Sequence, residues 1–180
     1  MLAEVGYLSL VIAFASSIYA IVTAFYGERT HNDLFVRSAR NGVLVAFGMV
    51  TVSTLALLYA LMVEDYSISY IWSVTSPAMP EFYRATALWG SQEGSLLFWS
   101  FLMAAFAAGA VILNWQSHHR LMPGVIIYMM LVLAFFLGIS IFVENPFVRW
   151  WLEMNGTEQE VIQAVFQPAG AVAPAASRLA

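Results

Sequence analysis

Leu96-Leu97-Phe98-Trp99-Ser100-Phe101-Leu102-Met103-Ala104-Ala105-Phe106-Ala107-Ala108-Gly109-Ala110-Val111-Ile112-Leu113 runs without a single charged side chain. A helix that crosses the hydrocarbon core of a bilayer needs about 20 predominantly apolar residues, and this run is near that length. Three further uncharged runs, over residues 5–26, 43–63 and 124–143, have the same character. With 61% hydrophobic residues and only 10% charged ones among 180, the chain is far too apolar for a soluble domain of its size. The expected fold is all-α and integral to a membrane, with four transmembrane helices and a long loop between the second and third.

Just ahead of residue 96 stands Trp89-Gly90-Ser91-Gln92-Glu93-Gly94-Ser95. One carboxylate, two glycines and two serines, between Trp89 and Trp99, lie at the mouth of an apolar segment. A charge is costly there unless something pairs or uses it. The preceding link leaves the second apolar run at Glu64-Asp65 and extends over some thirty residues, which is long for a connection between neighbouring helices. Its opening, residues 66–72, alternates polar with apolar or aromatic positions in a strand-like way. Pro77 and Pro80 are expected to break regular structure. Residues 81–89 suit two turns of interfacial helix with Phe82, Tyr83 and Trp89 at headgroup depth, ended by Gly90. Either Ser91 or Ser95 can then cap the third helix.

Elsewhere the chain reads more simply. Ala13, Ser17, Ala20 and Ala24 form a small-residue stripe on the first helix, and Ala104, Ala105, Ala108 and Gly109 thin the third, both suited to close helix packing. Thr51, Ser53 and Thr54 can return hydrogen bonds to their own helix. The first run follows Glu4 instead of a basic region and is too long for a cleavable signal, so it stays as a helix. Residues 27–42 hold Arg29, Arg37 and Arg40 and read as the most basic loop. Beyond Phe147, Arg149-Trp150-Trp151 suits an interfacial anchor, residues 153–167 a short surface helix, and residues 168–180 an Ala/Pro-rich disordered end. The domain division is 1–149 for the membrane unit and 150–180 for the interfacial segment and tail.

Basic residues in short loops stay on the cytoplasmic side. Arg29, Arg37, Arg40 and Arg120 fall after helices one and three, against Arg84 alone in the long loop. Both termini and the long loop are therefore expected to face outward, making the loop extracytoplasmic. A net charge of -4, with seven arginines and no lysine, argues against a nucleic-acid surface, and the absence of cysteine removes disulfide and thiolate chemistry.

Two readings of Glu93 stand side by side. Its carboxylate suits the first turn of a helix, where unpaired N–H groups favour negative charge. Alternatively it lies under an aromatic surface of Trp89 and Trp99, with Gly90 and Gly94 leaving room for a ligand against the backbone. Arg84 can pair with Glu93 or with a ligand carboxylate. His31, His118 and His119 lack metal-ligand spacing, and no catalytic triad or phosphate loop is present, so no catalytic or metal residue is assigned. Asn155-Gly156-Thr157 is a glycosylation sequon, relevant only in a eukaryotic secretory path.

The run Pro80-Glu81-Phe82-Tyr83-Arg84-Ala85-Thr86-Ala87-Leu88-Trp89-Gly90-Ser91-Gln92-Glu93-Gly94-Ser95-Leu96-Leu97-Phe98-Trp99 resembles the N-terminal part of the CcmF family and its paralogue NrfE in bacterial cytochrome c maturation. Residues 66–70 and Asn145-Pro146-Phe147 are similar in order and distance, so the resemblance covers residues 1 to about 149. It implies a haem lyase component of the bacterial inner membrane. Such a component takes haem from a carrier chaperone and helps attach it to the thiols of an apocytochrome c. Arg84, Trp89, Gly90, Glu93, Gly94 and Trp99 would then help shape a haem or apocytochrome site. The family's tryptophan-rich motif and haem-ligating histidines lie further along its chain, and here Trp150-Trp151 and an unrelated ending follow instead. Haem is therefore expected only together with a partner, either another lyase subunit or the missing C-terminal half. The rival readings are a non-catalytic structural subunit of a respiratory or photosynthetic membrane complex and, more weakly, a small transporter, against which all four spans are uncharged through their cores.

Overall fold

The computed structural model describes residues 2–76, 78–155 and 158–173. Four long helices dominate it: α1 (Leu2–Thr30), α2 (Asp33–Val63), α5 (Gln92–Asn114) and α6 (Met122–Phe142). All four are long and apolar enough to cross a membrane. Two short helices, α3 (Ser69–Val74) and α4 (Glu81–Thr86), occupy the link between α2 and α5.

The bundle is apolar inside and out. Leu113, Phe142, Tyr128 and Phe106 point outward and are more than two-thirds exposed. In water that surface would oppose solubility, whereas lipid is as apolar as the side chains themselves. Inside, packing relies on small residues. Ala13, Ser17, Ala20 and Ala24 are fully buried along one stripe of α1, as the sequence predicts. At Gly42 of α2 an added Cβ would come within 3.1 Å of the Ala20 Cβ, so the two backbones approach closely there. Ala104 and Ala108 are buried on α5, but Gly109 faces open space and takes no part in packing.

Thr51 and Thr54 donate to the carbonyls of Phe47 and Val50 on their own helix. Ser53 instead donates across to the Gly6 carbonyl of α1 at 2.9 Å, a buried bond between helices that residue type alone does not disclose.

Residues 27–42 are not a loop. α1 continues to Thr30 and α2 begins at Asp33, leaving a tight turn at His31-Asn32. Asn32 caps α2 by accepting from the Leu34 N–H at 3.0 Å, and His31 takes the left-handed conformation, φ 51°. Arg29, Arg37 and Arg40 are therefore carried on helix ends. A helix does not stop where hydrophobicity does; it stops at its caps.

The strand-like reading of residues 66–72 is also corrected, since Ser69–Val74 is helical with Tyr70 and Ile71 buried. Conversely, the surface helix expected over 153–167 is a strand. β1 (Arg149–Asn155) and β2 (Glu158–Ala164) form an antiparallel hairpin with Trp151 opposite Ile162 and Leu152 opposite Val161. Aromatic and β-branched residues facing each other favour that pairing over a lone surface helix. The hairpin is extended by isolated bridges from Ile68 to Arg149 and from Leu152 to Val172. Of residues 168–180, Val172 exchanges backbone hydrogen bonds with Leu152, and residues 174–180 lie outside the described residues, as do Pro77 and the Gly156-Thr157 part of the sequon.

Candidate functional site

α1 starts, α2 ends, α5 starts and α6 ends at one pole of the bundle, and the α2–α5 link and the hairpin are tied together there. The Ser69 N–H donates to the Val148 carbonyl at 2.8 Å, and the Trp150 N–H to the Ser67 carbonyl at 3.0 Å. Phe147 is fully buried, its ring against Gly6 of α1, where any Cβ would collide with it. The Asn145 side chain accepts from the Phe147 N–H at 3.0 Å and sets that turn.

Within this pole the motif residues form a knot around Tyr70. Its hydroxyl donates to the Ala87 carbonyl at 2.5 Å and lies 3.1 Å from that of Leu88, holding the 3-10 turn Ala87–Trp89 against α5. Gly94 makes this possible, because a Cβ there would run into the Leu88 carbonyl and the Tyr70 hydroxyl. The space at Gly94 is thus filled by the protein's own tyrosine and is not open to a ligand. Burial, reinforced by the nearby Glu93 carboxylate, pushes the Tyr70 phenol well above the ordinary tyrosine range, so it stays a donor.

Ser91 is the N-cap residue of α5, but its hydroxyl donates to the Glu93 carboxylate in place of a backbone N–H acceptor role. Ser95 donates to the Trp89 carbonyl at 3.0 Å. Arg84 does not reach Glu93. Its guanidinium pairs with Glu64 at the end of α2, and its Nε donates to the Met79 carbonyl at 3.0 Å. These polar contacts fix the backbone of the motif and use up most of its donors.

The indoles are spared. Trp89 and Trp99 are 51% and 57% exposed. They do not form one flat surface, since Phe98 stands between them, 5.4 Å from Trp89 and 6.4 Å from Trp99, with tilted ring planes. Gly90 ends the turn beside Trp89. Sequence reasoning missed Tyr70, Glu64 and Phe147 as site-forming residues. Tyr70 and Gly94 are 24 positions apart, and only folding reveals the vacancy one leaves for the other.

His119 stands at the opposite pole, its Nε2 3.4 Å from the Asp33 carboxylate, and His31 and His119 border one pocket there. No imidazole of this chain reaches the motif pole among the described residues. The residues described at that pole offer aromatic faces to a flat ring, with no imidazole standing among them.

Over 149 residues, 83% of this chain, the sequence is 30% identical to the cytochrome c-type biogenesis protein CcmF of Haemophilus influenzae and 28% identical to ccl1 of Rhodobacter capsulatus. It is 26% identical over 149 residues to NrfE of Haemophilus influenzae. Over most of its length the chain is similar to proteins of the CcmF/NrfE family. A solved structure of the cytochrome c heme lyase CcmF matches 82% of it with a TM-score of 0.77 at 26% identity. No family model matches the chain. It spans 23% of the Haemophilus and Rhodobacter relatives and 25% of the solved CcmF chain, about a quarter of the family's length. Four apolar spans and these relatives make it a multi-pass membrane protein.

Proposed function

We propose that this chain supplies the N-terminal membrane unit, residues 1–149, of a CcmF-like cytochrome c haem lyase, completed by a partner that carries the rest. What supports this is the division of labour at the motif pole. Arg84, Glu93 and Gly94 hold the platform rigid, while the Trp89 indole beside Gly90 faces outward, with Phe98 as its ring contact among the described residues. Trp99 borders the platform on the membrane side. Exposed indoles on a rigid scaffold are contact residues by their chemistry.

In this reading the platform lies on the extracytoplasmic side of the bacterial inner membrane and both termini face outward, as the placement of Arg29, Arg37, Arg40 and Arg120 favours. The platform positions haem, delivered by a carrier chaperone, or the apocytochrome segment that receives it. The partner chain ligates the iron. Haem contributes the vinyl groups to which cysteine thiols are joined, and this chain's part is orientation only.

Production of holocytochrome c in cells carrying this chain and its partner tests the reading. Trp89→Ala is expected to lower the yield about tenfold, the loss of one aromatic contact worth roughly 1.4 kcal/mol, with the chain still inserted in the membrane. Unchanged yield overturns it. A second reading, a structural subunit of a larger membrane complex that docks through the same indoles, is favoured by how fully the platform's polar groups satisfy one another. Co-purification of respiratory or photosynthetic subunits without maturation proteins would select it.

A further inference from the structure

At the motif pole the first turns of α5 and the last turns of α6 part to leave an open groove of about 410 Å³. Leu96, Ile139 and Val143 make its wall and Trp99 its edge, while Gln92 and Glu144 stand on its rim. Val143 is 71% exposed, so nothing within the described chain closes the groove. The Glu144 side chain has no hydrogen bond or ion pair among the described residues, although its backbone N–H caps α6 by donating to Ile139 at 3.0 Å. Its carboxylate lies beside the C-terminal end of α6, where the unpaired carbonyls add further partial negative charge. The N-terminus of α5, at the same pole, already carries Glu93 in its first turn.

We propose that this groove seats a phospholipid with a primary ammonium headgroup, phosphatidylethanolamine. The ammonium donates to Glu144 and to the Gln92 side-chain carbonyl with the Trp99 indole beside it, and an acyl chain lies along Leu96, Ile139 and Val143. Charge selects this occupant. A headgroup with no ammonium would leave Glu144 unpaired, and a choline headgroup has no N–H to donate to the carboxylate. The inference rests on the chain's being a membrane protein; it shares Trp99 with the proposed platform, but Glu144, on which its test turns, has no part in that platform.

Native mass spectrometry of the full chain from nanodiscs with equal parts phosphatidylethanolamine, phosphatidylcholine and phosphatidylglycerol tests it. The retained lipid is expected to be enriched in phosphatidylethanolamine over each of the others by about tenfold, the increment of one charge-assisted contact. Glu144→Gln should bring the retained lipid back to the bulk proportions, while Glu160→Gln, on the hairpin, should leave the enrichment intact. Retained lipid that mirrors the bulk, equal retention of the choline lipid, or an enrichment that survives Glu144→Gln would each overturn the proposal.

Discussion

The two poles of the bundle are built by different means. At the motif pole, the α2–α5 link is stitched to the ends of α2 and α5 and to the hairpin by backbone and side-chain hydrogen bonds and an ion pair through Ser67, Ser69, Tyr70, Ser95 and Arg84, and the start of α1 is packed against Phe147. At the other pole the helices are joined by a two-residue turn and a short link, and their polar contacts include a long 3.4 Å pairing of His119 with an exposed Asp33, with Arg40 over the Trp115 ring and His119 edge-on to it. One pole holds a shape and the other chiefly carries charge. Precise polar ordering costs conformational entropy, and it is concentrated where the indoles Trp89 and Trp99 are presented.

The sharpest way to break this contrast is at a glycine. Gly94→Ala places a methyl group against the Leu88 carbonyl and the Tyr70 hydroxyl, and neither backbone nor a doubly bonded phenol yields easily. Overpacking of this kind costs about 1–3 kcal/mol, occasionally more. Gly109→Ala on the same helix meets nothing within 4 Å and is expected to be neutral or to stabilise by up to about 1 kcal/mol through helix propensity. Thermal unfolding of both variants in detergent, followed by circular dichroism, checks the pair. Equal behaviour of the two would mean that the knot contributes nothing to stability.

Much of the scaffold was legible in residue order and little of the knot was. Uncharged runs mark bilayer spans because the hydrocarbon core tolerates nothing else, and the alanine and serine stripe of α1 shows its packing face because small residues are useful only where backbones meet. Helix ends were less legible, since Arg37 and Arg40 leave the lipid without leaving the helix. The Asn32-Asp33 pair carried the cap signal within what read as a loop. Tyr70 sits in an alternating pattern that suits a strand, and its helical state depends on burial against a turn seventeen residues away. The hairpin had a local signal in the aromatic Trp150-Trp151 and β-branched Val161-Ile162 runs that it sets side by side, which the reading of residues 153–167 as a surface helix leaves out of account. The motif glycines announced a close approach correctly, but not that the approaching group belonged to the chain itself.

Tyr70→Phe isolates the hydroxyl from the ring. It leaves the Ala87 and Leu88 carbonyls short of a buried donor and is expected to destabilise by about 1–3 kcal/mol, with Gly94 unaffected. The pH dependence follows from the same bond. The folded-state phenol titrates above its unfolded value of about 10, because burial and then Glu93 oppose its ionisation. The protonated hydroxyl's contribution is therefore complete below that value and is lost as pH rises through the higher folded value. Alkaline unfolding should begin above about pH 10, and Tyr70→Phe should flatten that part of the profile. A tyrosinate absorbance titration in which every tyrosine ionises in the ordinary range would remove the basis for the effect.

The smallest expected effect lies at the opposite pole. Asp33→Asn removes a carboxylate that is 72% exposed and separated by 3.4 Å from His119. Exposed pairs of this geometry are worth between nothing and about 1 kcal/mol, and Asp33 also stands in the first turn of α2, where the helix dipole adds a few tenths. Asn32, one residue earlier, keeps the cap that fixes where α2 begins, so the turn survives the substitution. The change in unfolding free energy should stay within about 1 kcal/mol. A loss as large as that of Gly94→Ala would show this pole to be held as tightly as the other, and the indoles would then not mark a specially ordered face.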